Sequence, residues 1–166
     1  SIKIQGSWAT IIDDYALGRA YLRPTQPGDT ITFAFRGSGV DLLTRRWLDA
    51  GRLYVALDGH AVRSLDRDAS GQSYVDLASK TTQTRARIRL VRDVHAGEHT
   101  LCLTVAPDDN ERASAQNCVI DGFAVLAGER QQFPWLSLGL VAMGLALDGW
   151  LLFRSWRHLR WVIKGP

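Results

Sequence analysis

Three aspartates are the residues of this sequence that come closest to forming a site of chemistry. Asp13 and Asp14 are adjacent near the N-terminus, and Asp121 lies in an apolar run much later in the chain. Calcium takes roughly six to eight oxygen ligands, which usually come from several segments. Because the first and last strands of a β-sandwich often lie side by side, the three carboxylates are candidates for a structural calcium site. Solvated turn residues are the alternative role.

Enzyme motifs are missing from the sequence. It contains no GxSxG elbow, no HExxH pair and no glycine-rich phosphate loop. No acid or cysteine partner is evident for His99, so we assign it a structural role at a strand entry. We therefore predict a protein that is not an enzyme and needs no cofactor beyond the candidate calcium. A hydrolase whose catalytic domain precedes residue 1 is an alternative.

Aromatic and arginine side chains are the candidates for a contact surface. Trp47 follows Arg45 and Arg46 in one predicted loop, and Tyr74 lies in another. Tryptophan and arginine are enriched at binding hot spots, and an exposed ring beside hydrogen-bonding groups would suit a sugar. Packing of Trp47 over one end of the core is the alternative role.

Short apolar runs separated by turn residues predict an all-β fold for the first part of the chain. Ile31, Phe33 and Phe35 alternate with smaller or polar residues, which is typical of a strand with one buried face. Asp58 and Gly59 form the strongest hairpin signal. The predicted strands are 7–12, 20–22, 30–35, 40–44, 52–57, 60–65, 85–91, 99–105 and 118–125. This pattern favours a jelly-roll β-sandwich over residues 1–127.

Two glycines and two cysteines have local roles in this prediction. Gly37 and Gly39 are expected to give the backbone freedom at a tight link between strands. Cys102 and Cys118 lie in two late strands and carry no metal or haem signature. In an oxidising compartment they would form a disulfide, and two buried thiols are the alternative.

Four segments of the predicted strands resemble a known group of domains. They read ITFAFRGSGVDLL, RLYVALDGH, HAGEHTLCLTV and NCVIDGFAV. Together they resemble jelly-roll modules related to carbohydrate-binding modules, over residues 6–126. The resemblance implies a β-sandwich, in some members a structural calcium, and in some members sugar-stacking aromatic rings on a concave face or in end loops. A glycan is the partner that it implies.

The C-terminal part of the sequence predicts a membrane anchor. After a linker at 128–132, residues 133–153 contain one charged side chain, Asp148. A helix of this length would extend about 31 Å, which matches the hydrocarbon core of a bilayer. Residues 154–166 predict a short, basic, amphipathic helix. The basic excess after the span places the C-terminus in the cytoplasm and the sandwich in the periplasm or outside the cell.

The distribution of charge supports the same topology. The part from residue 133 holds four of the 20 basic and one of the 17 acidic residues, which leaves 16 of each in residues 1–132. The basic tail therefore suits an anionic inner leaflet, and the neutral domain gives no support to nucleic-acid binding. Because the chain does not open on an export signal, we expect one upstream. The predicted anchoring residues are Trp135, Trp150, Trp156, Arg154, Arg157, Arg160 and Lys164.

The predicted span also carries a face suited to packing against other helices. Gly139, Ala142, Ala146 and Gly149 recur at helical spacing, and Asp148 is an ionisable group that would need a partner or the inner interface. The leading hypothesis is therefore an accessory subunit of a larger membrane complex, with bacterial energy-transducing complexes as one example. Its partners would be other integral membrane subunits. A membrane-tethered glycan-binding module of the cell envelope is the alternative.

Overall fold

The structure is a computed structural model that describes residues 1–107 and 117–127, all within one compact unit, Ser1–Glu129. The predicted linker, span and tail lie outside the described residues. Within the described ranges no helix is long and apolar enough to cross a membrane. The strands are β1 Ile2–Gln5, β2 Trp8–Ile12, β3 Ala20–Pro24, β4 Thr30–Gly37, β5 Gly39–Arg46, β6 Arg52–Leu57, β7 His60–Ala61, β8 Asp66–Arg67, β9 Ser73–Asp76, β10 Gln83–Val91, β11 Gly97–Val105 and β12 Ile120–Leu126.

The strands form two sheets, so the described part of the chain is an all-β sandwich, as the sequence predicted. The larger sheet has the order β1-β4-β11-β6-β9-β8, with β7 paired to β6, and the smaller sheet has the order β10-β5-β12-β3-β2. The described strand pairs are antiparallel. The chain changes sheet at β4–β5–β6 and again at β10–β11–β12, which is typical of a jelly roll.

The core lies between the inner faces of the two sheets and follows the two-residue period of the strands. Ile31 and Phe35 are buried and Phe33 packs against them, which confirms the alternation predicted for β4. On β11, Leu101 and Leu103 are 0% and 1% exposed, whereas the intervening Cys102 is on the outer face. Alternate residues of each strand therefore face the core and the outer surface in turn.

The predicted strand positions are correct for most elements but not for all. The run predicted at 60–65 pairs only at His60–Ala61, because the Leu65 amide donates back to the Val62 carbonyl and turns the chain. Three short strands, β1, β8 and β9, were not predicted.

The two links that contain glycine need this residue for different physical reasons. Asp58 and Gly59 have φ angles of 52° and 78°, so the predicted hairpin turn joins β6 to β7. Gly37 and Gly39 do not have positive φ, which corrects the expectation of special backbone freedom. Glycine is needed there because a Cβ at Gly37 would lie 2.4 Å from the Leu126 carbonyl oxygen, and one at Gly39 would lie 2.6 Å from that of Val91.

The predicted disulfide does not form in the structure. Cys118 is buried in the core cluster, whereas Cys102 faces outward on the opposite side of β11 from Leu101 and Leu103. The Cys118 thiol lies 4.0 Å from the Arg52 carbonyl oxygen, and the Cys102 thiol lies 4.0 Å from the Thr104 hydroxyl. The two side chains therefore lie in different surroundings, Cys102 on the outer face of the larger sheet and Cys118 in the core.

Candidate functional site

A groove of about 250 Å³ lies on the outer face of the larger sheet. Its floor is formed by outward-facing residues of β6 and β11, including Tyr54, Cys102 and Thr104. One wall is the β6–β7 hairpin around Gly59, and the other is the turn before β9. We call this feature the sheet groove. The residues of this second wall that line it are Ser70, Gly71 and Gln72 of the turn and Ser73 at the start of β9.

Asp68 builds the second wall of the sheet groove. Its carboxylate accepts hydrogen bonds from the Ser70 hydroxyl at 2.7 Å and from the backbone amides of Ser70 and Gln72 at 2.9 Å. The Tyr54 hydroxyl also donates to it. These hydrogen bonds lower the pKa of Asp68, and the bond from the Ser70 hydroxyl has the largest effect. Burial acts in the opposite direction and raises the pKa. The same carboxylate thus fixes both the wall and the Tyr54 ring on the floor.

A row of uncharged polar side chains crosses the larger sheet at the level of the groove. The register aligns Gln5 with Thr30, Thr30 with Thr104, Thr104 with Tyr54, and Tyr54 with Tyr74. Adjacent strands are about 4.8 Å apart, so five strands place these groups along roughly 19 Å. We call this set of five residues the hydroxyl row. It offers hydroxyl donors and acceptors together with two aromatic rings.

At the Tyr74 end of the hydroxyl row two charged side chains are paired with each other. The Arg52 guanidinium lies 4.2 Å from the centre of the Tyr74 ring and 3.8 Å from the Asp76 carboxylate. The cation–π contact holds the ring at the end of the row. Because Arg52 and Asp76 cancel in charge, this end of the surface suits a neutral ligand better than an ion.

Sequence reasoning identified Tyr74 but missed most of the hydroxyl row. Tyr54 alternates with Leu53 and Val55, which are 0% and 2% exposed, and that pattern could have shown that its ring faces outward. The pairing of Tyr54 with Thr104 and Thr30 had no local signal, because these residues come from distant strands.

Trp47 and Arg46, two of the predicted contact residues, make contacts within the domain. Trp47 packs against the core cluster, and its carbonyl oxygen accepts from the amides of Ala50 and Ser79. The Arg46 guanidinium donates to the Ala78 carbonyl oxygen at 2.9 Å and points toward that of Leu77 at 3.4 Å. These contacts hold residues 76–79 against the end of β5, and they agree with the alternative role for Trp47.

Arg45 lies among two of the three predicted acidic residues. It donates to the Asp13 carboxylate at 2.8 Å and stacks 4.7 Å from the centre of the Tyr21 ring. The hydrogen bond from Arg45 lowers the pKa of Asp13. Burial raises the pKa of Asp121, with Arg45 opposing this shift and Asp13 adding to it. The structure thus brings Asp13 and Asp121 together, but around a guanidinium.

Asp14 is separate from this cluster. It pairs with Arg19 at 3.0 Å on the surface. Within residues 1–107 and 117–127, no group of three or more His, Cys, Asp or Glu side chains is arranged to hold a metal ion. The packing residues Gly139, Ala142, Ala146, Gly149 and Asp148 and the predicted anchoring residues lie outside the described residues.

His99 has the acid partner that its sequence neighbourhood did not reveal. Its Nδ1 lies 2.7 Å from a carboxylate oxygen of Asp58, and its Nε2 lies 2.7 Å from the His95 carbonyl oxygen. The His95 carbonyl and then Asp58 raise the pKa of His99. Both ring nitrogens are therefore engaged in joining the β6–β7 hairpin to the start of β11, which supports the predicted structural role.

Neither a protein-family model nor a curated protein matches the chain. Among solved structures, a Paenibacillus xanthan lyase is similar with a TM-score of 0.52 and 15% identity over 75% of this chain, but this covers only 12% of the lyase. A family 35 carbohydrate binding module from Clostridium thermocellum has a TM-score of 0.49 and 12% identity, covering 76% of this chain and 92% of the module. A family two carbohydrate esterase from Cellvibrio japonicus has a TM-score of 0.49 and 16% identity, covering 74% and 29%.

The likeness to part of the lyase supports the β-sandwich fold. At this identity it concerns the fold alone. Any function must therefore be argued from the sheet groove and its surroundings.

Proposed function

We propose that this chain is a non-catalytic glycan-binding module of the cell envelope, tethered to the membrane by residues 133–153. The observation that carries the proposal is the hydroxyl row beside the sheet groove. A sugar presents hydroxyl groups around an apolar ring face, so it needs both hydrogen-bonding groups and an amphipathic aromatic surface. Thr104, Tyr54 and Tyr74 supply these on adjacent strands.

The form of the groove favours an extended, neutral polysaccharide. The hydroxyl row runs across several strands instead of closing into a pocket, and the groove is shallow at about 250 Å³. The charges of Arg52 and Asp76 cancel beside it. Rigid strands hold the floor and Asp68 holds the wall, so little ordering would be required on binding.

Retention on insoluble polysaccharides tests this function. The full chain in mild detergent is passed over a panel of neutral glycans, and Tyr74→Ala and Thr104→Val are compared with the wild type. We expect each variant to weaken retention by about tenfold, equivalent to roughly 1.4 kcal/mol. Tyr15→Ala is the matched control, because Tyr15 is 70% exposed on a different turn. Failure of the wild type to bind any glycan of the panel would remove the proposal.

An accessory subunit of a membrane complex is the second candidate, and a specific surface favours it. Ile2, Ile4 and Ile12 are 52%, 46% and 85% exposed on the edge strands β1 and β2. An open, largely apolar cleft of about 340 Å³ lies between the sheets beside them. Tyr15 and Leu17 add further exposed apolar surface on the turn after β2. Exposed apolar patches of this kind are typical of protein contacts.

Co-purification separates this candidate from the first. We expect Ile4→Lys and Ile12→Lys to reduce the recovery of partner subunits through a C-terminal tag, while glycan retention is unchanged. Leu48→Lys is the control, since Leu48 is 65% exposed on the turn after β5. Equal recovery of partners by all three variants would argue against docking at this edge.

A further inference from the structure

Arginines occupy every second position on the outward face of β10. Arg85, Arg87 and Arg89 are exposed, whereas Ala86 and Leu90 between and after them are 7% and 0% exposed. Alternate residues of an antiparallel strand are about 6.8 Å apart, so the three side chains span roughly 14 Å. β10 is an edge strand of the smaller sheet, so one side of this row is open. We call these three residues the arginine row.

Arg87 is held in place by a buried carboxylate. Asp41 is 1% exposed, and it accepts a short hydrogen bond from the Arg87 Nε and one of 3.0 Å from Arg92. The Arg87 side chain remains 57% exposed. Because Nε faces Asp41, the two terminal nitrogens are left for another acceptor. A guanidinium fixed in this way loses little entropy on binding an anion.

The positive charge of the row is only partly neutralised locally, since Arg85 interacts electrostatically with Asp121. Arg85 and Arg89 form no ion pair with another residue of the described ranges. Asp41 is shared by Arg87 and Arg92. The surrounding domain has equal numbers of acidic and basic residues. The row is therefore a local concentration of charge on a neutral domain.

Protection of an edge strand against aggregation does not account for the row. Charged side chains commonly serve that purpose. However, β2 is the other edge of the same sheet, and its sequence WATII contains no charge. The row also consists of arginine alone, whose planar fork matches carboxylate, sulfate and phosphate groups better than lysine does.

We propose that the arginine row binds the anionic groups of a linear acidic polysaccharide. A line of arginines along one strand matches a polymer with repeated carboxylates or sulfates better than it matches a broad membrane surface. A single-stranded nucleic acid would in addition stack its bases on aromatic rings. The residues that the register places beside Arg87 and Arg89 are Leu43 and Asp41, and then Gly122 and Ala124. The row is on the smaller sheet, so it is separate from the sheet groove.

Binding to polygalacturonate tests the proposal. The full chain in mild detergent is applied to immobilised polygalacturonate, to neutral dextran and to immobilised glycerol phosphate, which has the phosphate chemistry of a lipid headgroup. We expect polygalacturonate binding that weakens as salt is added. The double variant Arg85→Gln, Arg89→Gln is expected to weaken it by about tenfold or more. Arg87 is left unchanged so that Asp41 keeps its partner.

A matched control removes the same charge elsewhere. Arg36→Gln, Arg67→Gln changes two exposed arginines of the larger sheet and should bind polygalacturonate within about twofold of the wild type. Equal thermal unfolding of the variants shows that they are folded. Wild-type binding that is lost equally in both double variants, or absent at low salt, overturns the proposal. Binding to glycerol phosphate alone overturns it in favour of a lipid surface. Retention on neutral glycans is a separate outcome, because it tests the sheet groove.

Discussion

Asp41 is the buried charge on which the local order of the smaller sheet depends. Burial alone would raise its pKa, but hydrogen bonds from Arg92 and Arg87 outweigh burial and lower it. We expect Asp41→Asn to reduce the free energy of unfolding by about 2 kcal/mol, because it weakens two charge-assisted hydrogen bonds. Urea unfolding measures this effect.

The control for Asp41 is Asp14→Asn, which removes an exposed ion pair with Arg19 and should change stability little. The lowered pKa also fixes a pH dependence. The contribution of Asp41 is present above its unfolded value of 3.8 and is lost as pH falls through the lower folded value. Equal stability of Asp41→Asn and wild type at neutral pH would contradict this account.

The raised pKa of His99 predicts that its contribution to stability is lost as pH rises, which is the opposite direction to that of Asp41. Its raised pKa means that its contribution is complete below the unfolded value of 6.5 and is lost as pH rises through the higher folded value. We expect His99→Gln to remove the fall in unfolding free energy above that pH, because the link to Asp58 and His95 no longer titrates. His60→Gln, on the same hairpin, should keep it. Parallel curves for wild type and His99→Gln would refute this role.

At the scale of elements, Asp29 connects the turn before β2 to the turn before β4. Its carboxylate accepts from the amides of Ser7, Thr25 and Gln26 at 2.9–3.0 Å. Gly6 lies against this carboxylate with a φ of 95°, and a Cβ there would be 2.0 Å from Oδ1. Gly28 has a similar φ of 85° but open space around it. Substitution at Gly28 would therefore cause backbone strain alone, whereas substitution at Gly6 would cause strain and a steric clash.

We expect Gly6→Ala to be clearly more destabilising than Gly28→Ala. Both changes place alanine at positive φ, which costs on the order of 1 kcal/mol. Only the Gly6 variant must also displace Asp29 and its three hydrogen bonds, which should add at least about 1 kcal/mol. Denaturant unfolding of both variants measures the difference. Equal losses would mean that the carboxylate moves aside without cost.

The sequence predicted those elements whose signals are local. The alternation of Ile31, Phe33 and Phe35 and the Asp58-Gly59 turn each depend on neighbours within a few residues, and both predictions are confirmed. The strand β1 was missed, although its sequence IKIQ alternates, because four residues at the chain start give a weak signal.

The candidate site could not be predicted to the same extent. Tyr54 and Thr104 meet only because β6 pairs with β11, and His99 meets Asp58 across 41 residues. Such pairs depend on sheet register, which one sequence does not give. The same limit explains the disulfide prediction, since the two cysteines were compared by position in the chain and not by the face that each occupies.

At the scale of the whole molecule, the proposed functions use different surfaces. The sheet groove belongs to the larger sheet, the arginine row is cationic and belongs to the smaller one, and the apolar edge is formed by β1 and β2. A module on an envelope polysaccharide can therefore contact a second polymer or a protein without blocking its groove. Variants of one surface are expected to leave the other functions intact.

The predicted span gives the last prediction, which concerns assembly. Its small residues would let another helix approach closely, so Ala142→Leu and Ala146→Leu should release the chain from integral membrane partners. Native gels and mass spectrometry after purification through a C-terminal tag measure this. Val141→Leu, next to the small-residue face, is the control and should leave assembly unchanged. Co-migration of all variants would exclude packing through this face. A wild-type chain that purifies alone would leave glycan binding as the function to test.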